Sequence, residues 1–150
     1  MLRLSKLTDY GTVILGYIAK DGSRLHAAQE ISVATGIAQP TVSKILKMLA
    51  KANVLSSTRG AKGGYALARE AKLITVANVI SALEGPISLT ECSLTQHDCE
   101  QATGCDLRGN WGLINQTIQT ALESVSLADM IIPGVKLPEE VKIPVASLYR

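Results

Sequence analysis

The sequence predicts a mainly helical fold carrying one short β-hairpin and a longer helix toward the C-terminus. Three observations support that class. Apolar residues recur at helical spacing through much of the chain, two short apolar runs flank one glycine-rich turn, and an apolar seam begins at Trp111. With 150 residues, 47% hydrophobic and 19% charged, the chain has the size and composition of one folded domain. Four Tyr, one Trp and no Phe leave the core to aliphatic side chains.

The first helix is expected from Thr8, with Tyr10, Val13, Ile14, Tyr17 and Ile18 forming one apolar face. Thr8 suits the N-cap, and Asp9 in the first turn suits the helix dipole. Asp21-Gly22-Ser23 ends the helix. Its apolar run, Gly11–Ala19, is too short to cross a bilayer, and no small-residue cleavage site follows it. The expectation is a soluble cytoplasmic protein with reduced thiols and no membrane partner.

A second helix is expected over Ala27–Thr35, burying Ala28, Ile31 and either Ala34 or Thr35, with Gly36 as its left-handed stop. A third begins near Pro40, in the first turn where proline is tolerated, and buries Val42, Ile45, Leu46 and Leu49. Its other face carries Gln39, Thr41, Ser43, Lys44, Lys47 and Lys51. Two short helices joined by a tight glycine turn form a helix-turn-helix signature. The N-terminal residues of a recognition helix reach base edges in the major groove, which makes Gln39, Pro40, Thr41, Ser43, Lys44 and Lys47 candidate DNA contacts.

Val54–Thr58 and Tyr65–Leu67 flank the loop Arg59-Gly60-Ala61-Lys62-Gly63-Gly64 and read as a β-hairpin. A hairpin directly after a recognition helix is the wing of a winged helix-turn-helix. Arg59, Lys62 and Gly63 at its tip are placed to meet phosphates or the minor groove; a merely solvated basic loop is the alternative. The loop is not a nucleotide-binding one, since no Gly-Lys-Ser/Thr follows it.

The charge distribution agrees with this placement. The net charge of +2 conceals a first half with 11 Lys and Arg against 4 Asp and Glu, and a second half with 4 against 9. A basic module joined to an acidic one is the pattern of a nucleic-acid reader with a second function attached.

Thr75 caps a further helix that ends at Glu84 before Gly85-Pro86. Residues Ile87 to Gly109 show little periodicity. From Trp111 a longer helix spaces Trp111, Ile114, Ile118, Ala121 and Val125 as an a/d seam. A helix-turn-helix protein of this size reads a palindrome as two copies, so the seam is assigned to a homodimer; packing on its own domain is the alternative. Ser126 caps a last turn, Leu127–Ile132, and the tail from Pro133 is expected to be extended or disordered. The chain is thus expected to divide into a winged helix-turn-helix DNA-binding part (1–74), a part with the cysteine-containing loop and the dimerisation helices (75–132) and a tail (133–150).

Cys92, Cys99 and Cys105 all fall within fourteen residues. The odd count fits a disulfide framework poorly, and the spacing matches neither zinc knuckles nor ferredoxin runs. Their neighbours Glu91, His97, Asp98, Glu100 and Asp106 make a polar setting where free thiolates are reactive unless bound. A metal or cluster site, a thiol redox switch, and no role are the three readings. Only His26 and His97 are available as imidazole bases, and neither sits in a triad pattern, so no enzyme and no small-molecule substrate are expected.

The opening Met-Leu-Arg-Leu-Ser-Lys-Leu-Thr-Asp-Tyr, the Gly36-Ile37 turn, the wing Ser57–Tyr65, the segment Ala77–Glu84 and the cysteine loop resemble the winged-helix regulators that include IscR and NsrR. The resemblance covers about residues 1 to 131. It implies a homodimeric bacterial transcription factor that binds a double-stranded DNA operator and senses through an iron–sulfur cluster. Within the family it points to control of SUF-type iron–sulfur assembly genes, with a nitric oxide or redox-sensing repressor as the alternative.

The resemblance also implies Cys92, Cys99 and Cys105 as cluster ligands. Where IscR-type members place a ligating histidine, this chain has Arg108, which cannot serve. NsrR-type members take an aspartate from the partner's first helix, and Asp9 stands at that position. Asp9 is therefore the expected fourth ligand, with His97 as runner-up, and the cluster is 2Fe–2S or 4Fe–4S. A zinc-braced or thiol-switch DNA-binding protein without a cluster is the remaining alternative.

Overall fold

The computed structural model describes residues 3–94, 105 and 108–133. The order is α1 (Lys6–Ala19), α2 (Ala28–Thr35), α3 (Gln39–Lys51), β1 (Leu55–Thr58), β2 (Gly64–Leu67), α4 (Val76–Glu84), α5 (Glu91–Leu94), α6 (Arg108–Glu123) and α7 (Leu127–Ile131). This is the mainly helical, winged helix-turn-helix order that the sequence predicts.

Helix α1 differs from expectation at its start. Ser5, not Thr8, is the N-cap: its hydroxyl accepts from the Thr8 backbone N–H, and the helix begins at Lys6. Thr8 then becomes a buried residue within the first turn. The buried face is also rotated from the predicted one, toward Gly11, Ile14, Leu15 and Ile18, and Val13 is exposed. The reason is the missing side chain at Gly11. A Cβ there would lie 2.4 Å from Leu83 Cδ1, so glycine allows α4 to press close.

Helices α2 and α3 follow the sequence closely. Gly36 adopts φ 71° at the end of α2, and Val42, Ile45, Leu46 and Leu49 are all buried on α3. On α2 only Ile31 is fully buried, while Ala34 faces solvent. β1 and β2 pair antiparallel in the register Leu55↔Leu67 to Thr58↔Gly64.

One apolar cluster holds the described structure together. Ile14, Leu15 and Ile18 meet Ile45, Leu46 and Leu49, and the same cluster takes in Ile74, Val79 and Leu83 of the α4 region and Leu127 of α7. Each such side chain contributes about 1.5–3 kcal/mol by leaving water. The second half of the chain is therefore built onto the core of the first.

Two cap boxes complete this connection. Thr75 and Asn78 cap α4 reciprocally, and Ser126 and Asp129 do the same for α7. The two helix starts lie side by side, because Val76 N–H donates to Val125 O and Leu127 N–H to Ile74 O. Helix α6 begins at Arg108, three residues before the expected Trp111, and ends at Glu123, so Val125 of the predicted seam lies outside it. No described helix is long and apolar enough to cross a membrane.

Candidate functional site

A basic face is built by α3 and the hairpin. Residues 31–69 contain no Asp or Glu but six Lys and Arg. Gln39, Pro40, Lys44 and Lys47 are exposed along α3, and Thr41 and Ser43 are half-buried. Arg59 and Lys62 are exposed on the hairpin, with Gly63 half-buried behind them. None of Lys44, Lys47, Arg59 and Lys62 makes an ion pair with a described residue. An unneutralised basic face is the electrostatic footprint of a polyanion partner. The acid-free run was legible in the sequence but is diluted when charge is counted over whole halves.

Backbone geometry fixes the hairpin against the helices. Gly63 N–H donates to Gly60 O, and a Cβ at Gly63 would sit 2.2 Å from Thr58 O, so only glycine closes this loop. Next to it, the His26 and Tyr65 backbones exchange two 2.9 Å hydrogen bonds. Gly64 permits that approach, since a Cβ would come within 2.8 Å of His26 O. A cleft of about 530 Å³ lies alongside α2, and one of about 500 Å³ lies between α2, Lys47 and the hairpin residues Arg59 and Gly63.

Sequence reading missed the role of His26. It is 3% exposed, with Nδ1 3.3 Å from Glu30 Oε1 and Nε2 3.0 Å from Asp21 O. Glu30 also accepts from Tyr17 Oη and from Arg24. The Tyr17 hydroxyl, then His26 and Arg24, hold the Glu30 carboxyl below its ordinary range, while the same bond raises Tyr17. The cluster locks the α1–α2 connection on which the hairpin rests.

The cysteine region begins just past α4. Asn115 of α6 is buried; its Oδ1 accepts from Leu89 N–H and its Nδ2 donates to Ile87 O. This clamp anchors the segment leading into α5, which contains Cys92. Cys105 is half-buried and free. Cys99 and His97 lie outside the described residues. Among the described residues, no three His, Cys, Asp or Glu side chains converge.

Asp9 is exposed in the first turn of α1 and makes no side-chain hydrogen bond or ion pair with a described residue. It borders a cleft of about 590 Å³ with Arg3, Lys6 and Met130. On α6, Trp111 and Ile114 are 39% and 41% exposed, and Ile118 and Ala121 are half-buried.

A family model described as an iron-dependent transcriptional regulator, Rrf2, matches residues 4–133. The chain belongs to the Rrf2 family of transcriptional regulators. The protein named Rrf2 of Nitratidesulfovibrio vulgaris is 33% identical over 131 residues, covering 87% of each chain. The structure of CymR, titled the global cysteine regulator of Bacillus subtilis, is 31% identical with a TM-score of 0.66, over 87% of this chain and 97% of that one. The IscR of T. potens is 30% identical with a TM-score of 0.61, over 87% of this chain and 86% of its own. An Rrf2-type regulator is what the helix-turn-helix, hairpin and α4 order builds here, and its relatives carry more than one regulatory name.

Proposed function

We propose that this Rrf2-family regulator acts as a homodimer that reads operator DNA with α3 and the hairpin and senses through an iron–sulfur cluster. The observation that carries the DNA reading is the acid-free, unpaired basic face of α3 and the hairpin. Gln39, Pro40, Thr41, Ser43 and Lys44 are assigned to the major groove, Lys47 to phosphate, and Arg59, Lys62 and Gly63 to the backbone or minor groove.

The sensing reading rests on donor chemistry. Cys92, Cys99 and Cys105 offer three thiolates within fourteen residues, a set that suits iron–sulfur ligation. One donor is left to supply. The carboxylate of Asp9, exposed and without a partner among the described residues, favours its donation across the dimer, and His97 is the alternative. When bound, a 2Fe–2S or 4Fe–4S cluster supplies a redox-reactive centre tied to the protein's own thiolates. Exposure of Trp111 and Ile114 favours α6 as the dimer seam.

The division of labour falls near residue 74, although the core does not divide there. A change in what the thiolates hold has a path toward α3 through the 85–90 segment, which Asn115 of α6 holds, and through α4, which packs on both α6 and α3. Control of SUF-type iron–sulfur assembly genes is the physiological assignment, with nitric oxide or redox sensing as its variant. A thiol-based switch is the second reading, favoured by the similarity to a cysteine regulator.

Anaerobic purification, a visible absorption spectrum and metal analysis test the proposal. Iron, sulfide and visible absorption are expected. Zinc without visible absorption assigns a braced loop, and metal-free protein with reversible thiol oxidation assigns the switch; either result overturns the cluster reading.

A further inference from the structure

Arg69 follows β2 by two residues and is the sixth cation of the basic run, so its charge invites the reading of a phosphate contact. Its guanidinium is committed elsewhere. Nη1 donates to Asn53 O at 2.9 Å, Nε to Leu73 O at 3.0 Å, and Nη2 to Asn78 Oδ1 at 3.0 Å.

Those acceptors belong to three different places. Asn53, at φ 57°, is the left-handed residue that ends α3, and the following Val54 N–H returns to Leu49 O within that helix. Leu73 closes the 3-10 turn Ala71–Leu73. The Asn78 amide oxygen also accepts from Thr75 N–H and so belongs to the cap of α4. The bond from Ala68 N–H to Val54 O seats Arg69 beside the end of α3. One planar, rigid fork therefore joins the end of the recognition helix to the start of the helix that leads to the cysteines.

We propose that Arg69 is a positioning residue, and that its three hydrogen bonds, rather than its charge, transmit the state of the cysteine region to the recognition helix. The proposal rests on the DNA-reading and sensing function above. A lysine preserves the charge but carries a single nitrogen, which cannot span acceptors held by three separate segments. Asn78→Asp, in contrast, keeps an oxygen for both Thr75 N–H and Arg69.

The test uses full-length wild type, Arg69→Lys, Arg69→Ala and Asn78→Asp, with circular dichroism to confirm folding. Each binds a duplex that wild type enriches from a random-sequence pool, in cluster-loaded and chelator-treated form, across a salt series. In wild type the two forms differ in affinity. In Arg69→Lys and Arg69→Ala that ratio falls toward one while the salt slope stays unchanged, and Asn78→Asp retains the wild-type ratio. Where Arg69→Ala is too unstable to assay, Arg69→Lys decides. A slope reduced by about 1 in Arg69→Ala and restored in Arg69→Lys identifies a phosphate contact and overturns the proposal. An unequal wild-type ratio retained in Arg69→Lys overturns the proposal alone. A wild-type ratio of one overturns the sensing function, and the proposal falls with it.

Discussion

Glu84, the last residue of α4, accepts a 2.8 Å hydrogen bond from the backbone N–H of Ser5, the N-cap of α1, 79 residues earlier in the chain. The same carboxylate oxygen accepts from the Thr8 hydroxyl. In a local capping box, the residue three positions after the N-cap performs this service. Here that residue is Thr8, too short to reach back, and the acid comes from another helix. The arrangement satisfies an exposed helix start and fixes α1, with Asp9 on it, to the end of α4.

Glu84→Ala is expected to destabilise the protein by about 1 kcal/mol, the usual size of a lost cap. The Thr8 hydroxyl, then the Ser5 backbone, hold the Glu84 carboxyl below its ordinary value of 4.5. A depressed pKa contributes stability that is complete above the ordinary value and is lost as pH falls through the lowered one. Thermal unfolding of wild type should therefore lose this contribution as pH drops below about 4.5, and Glu84→Gln should show a shallower acid decline. Parallel acid declines in the two proteins would refute the assignment.

The glycine at the hairpin base supports a second prediction. Gly64→Ala places a Cβ about 2.8 Å from His26 backbone atoms, where no flexible side chain can give way. The two backbone hydrogen bonds between His26 and Tyr65 must lengthen. The expected cost is about 1–3 kcal/mol, as for other overpacking changes. Amide exchange at Tyr65 should speed up and DNA affinity should drop, whereas Gly16→Ala, which meets no neighbour within 4 Å, should leave both unchanged.

The sequence was most informative where local chemistry decides structure. The α3 stripe, the left-handed Gly36, the Thr75 cap and the hairpin all depend on neighbours a few residues apart, and each stands where the pattern places it. It was least informative where distant residues intervene. Ser5 displaces Thr8 as N-cap in a helix start completed by Glu84, and the buried face of α1 turns toward Leu83 because Gly11 has no side chain. The same holds at the site. The basic face could be read residue by residue, but the three acceptors of Arg69 and the Asn115 clamp exist only after folding.

The proposed DNA reading assigns the basic face two kinds of contact. Lys47→Ala should weaken DNA binding evenly across sequences and reduce the salt slope by about 1, as expected for one lost phosphate contact. Arg59 sits at the hairpin tip, where an inserted guanidinium reads groove width or a base edge. Arg59→Ala should cost roughly 1–3 kcal/mol and flatten sequence preference at the positions beneath the hairpin. Binding curves against a set of single-base variants check both, and equal losses on every duplex would reduce Arg59 to a phosphate contact.

Cys92 provides the sharpest test of sensing, because α5 carries it directly from the segment that Asn115 anchors. Removing one of three thiolates leaves too few strong donors for a cluster, so Cys92→Ala is expected to lose bound iron and visible absorption. Fold and dimer should survive, since the apolar cluster of α1, α3 and α4 and the exposed α6 seam proposed for the dimer are untouched. DNA affinity should then match that of chelator-treated wild type and no longer respond to iron. Analytical ultracentrifugation alongside the binding titration separates the outcomes. A monomer would show that the loop sustains the dimer, and a variant that keeps its iron would remove Cys92 from the ligand set.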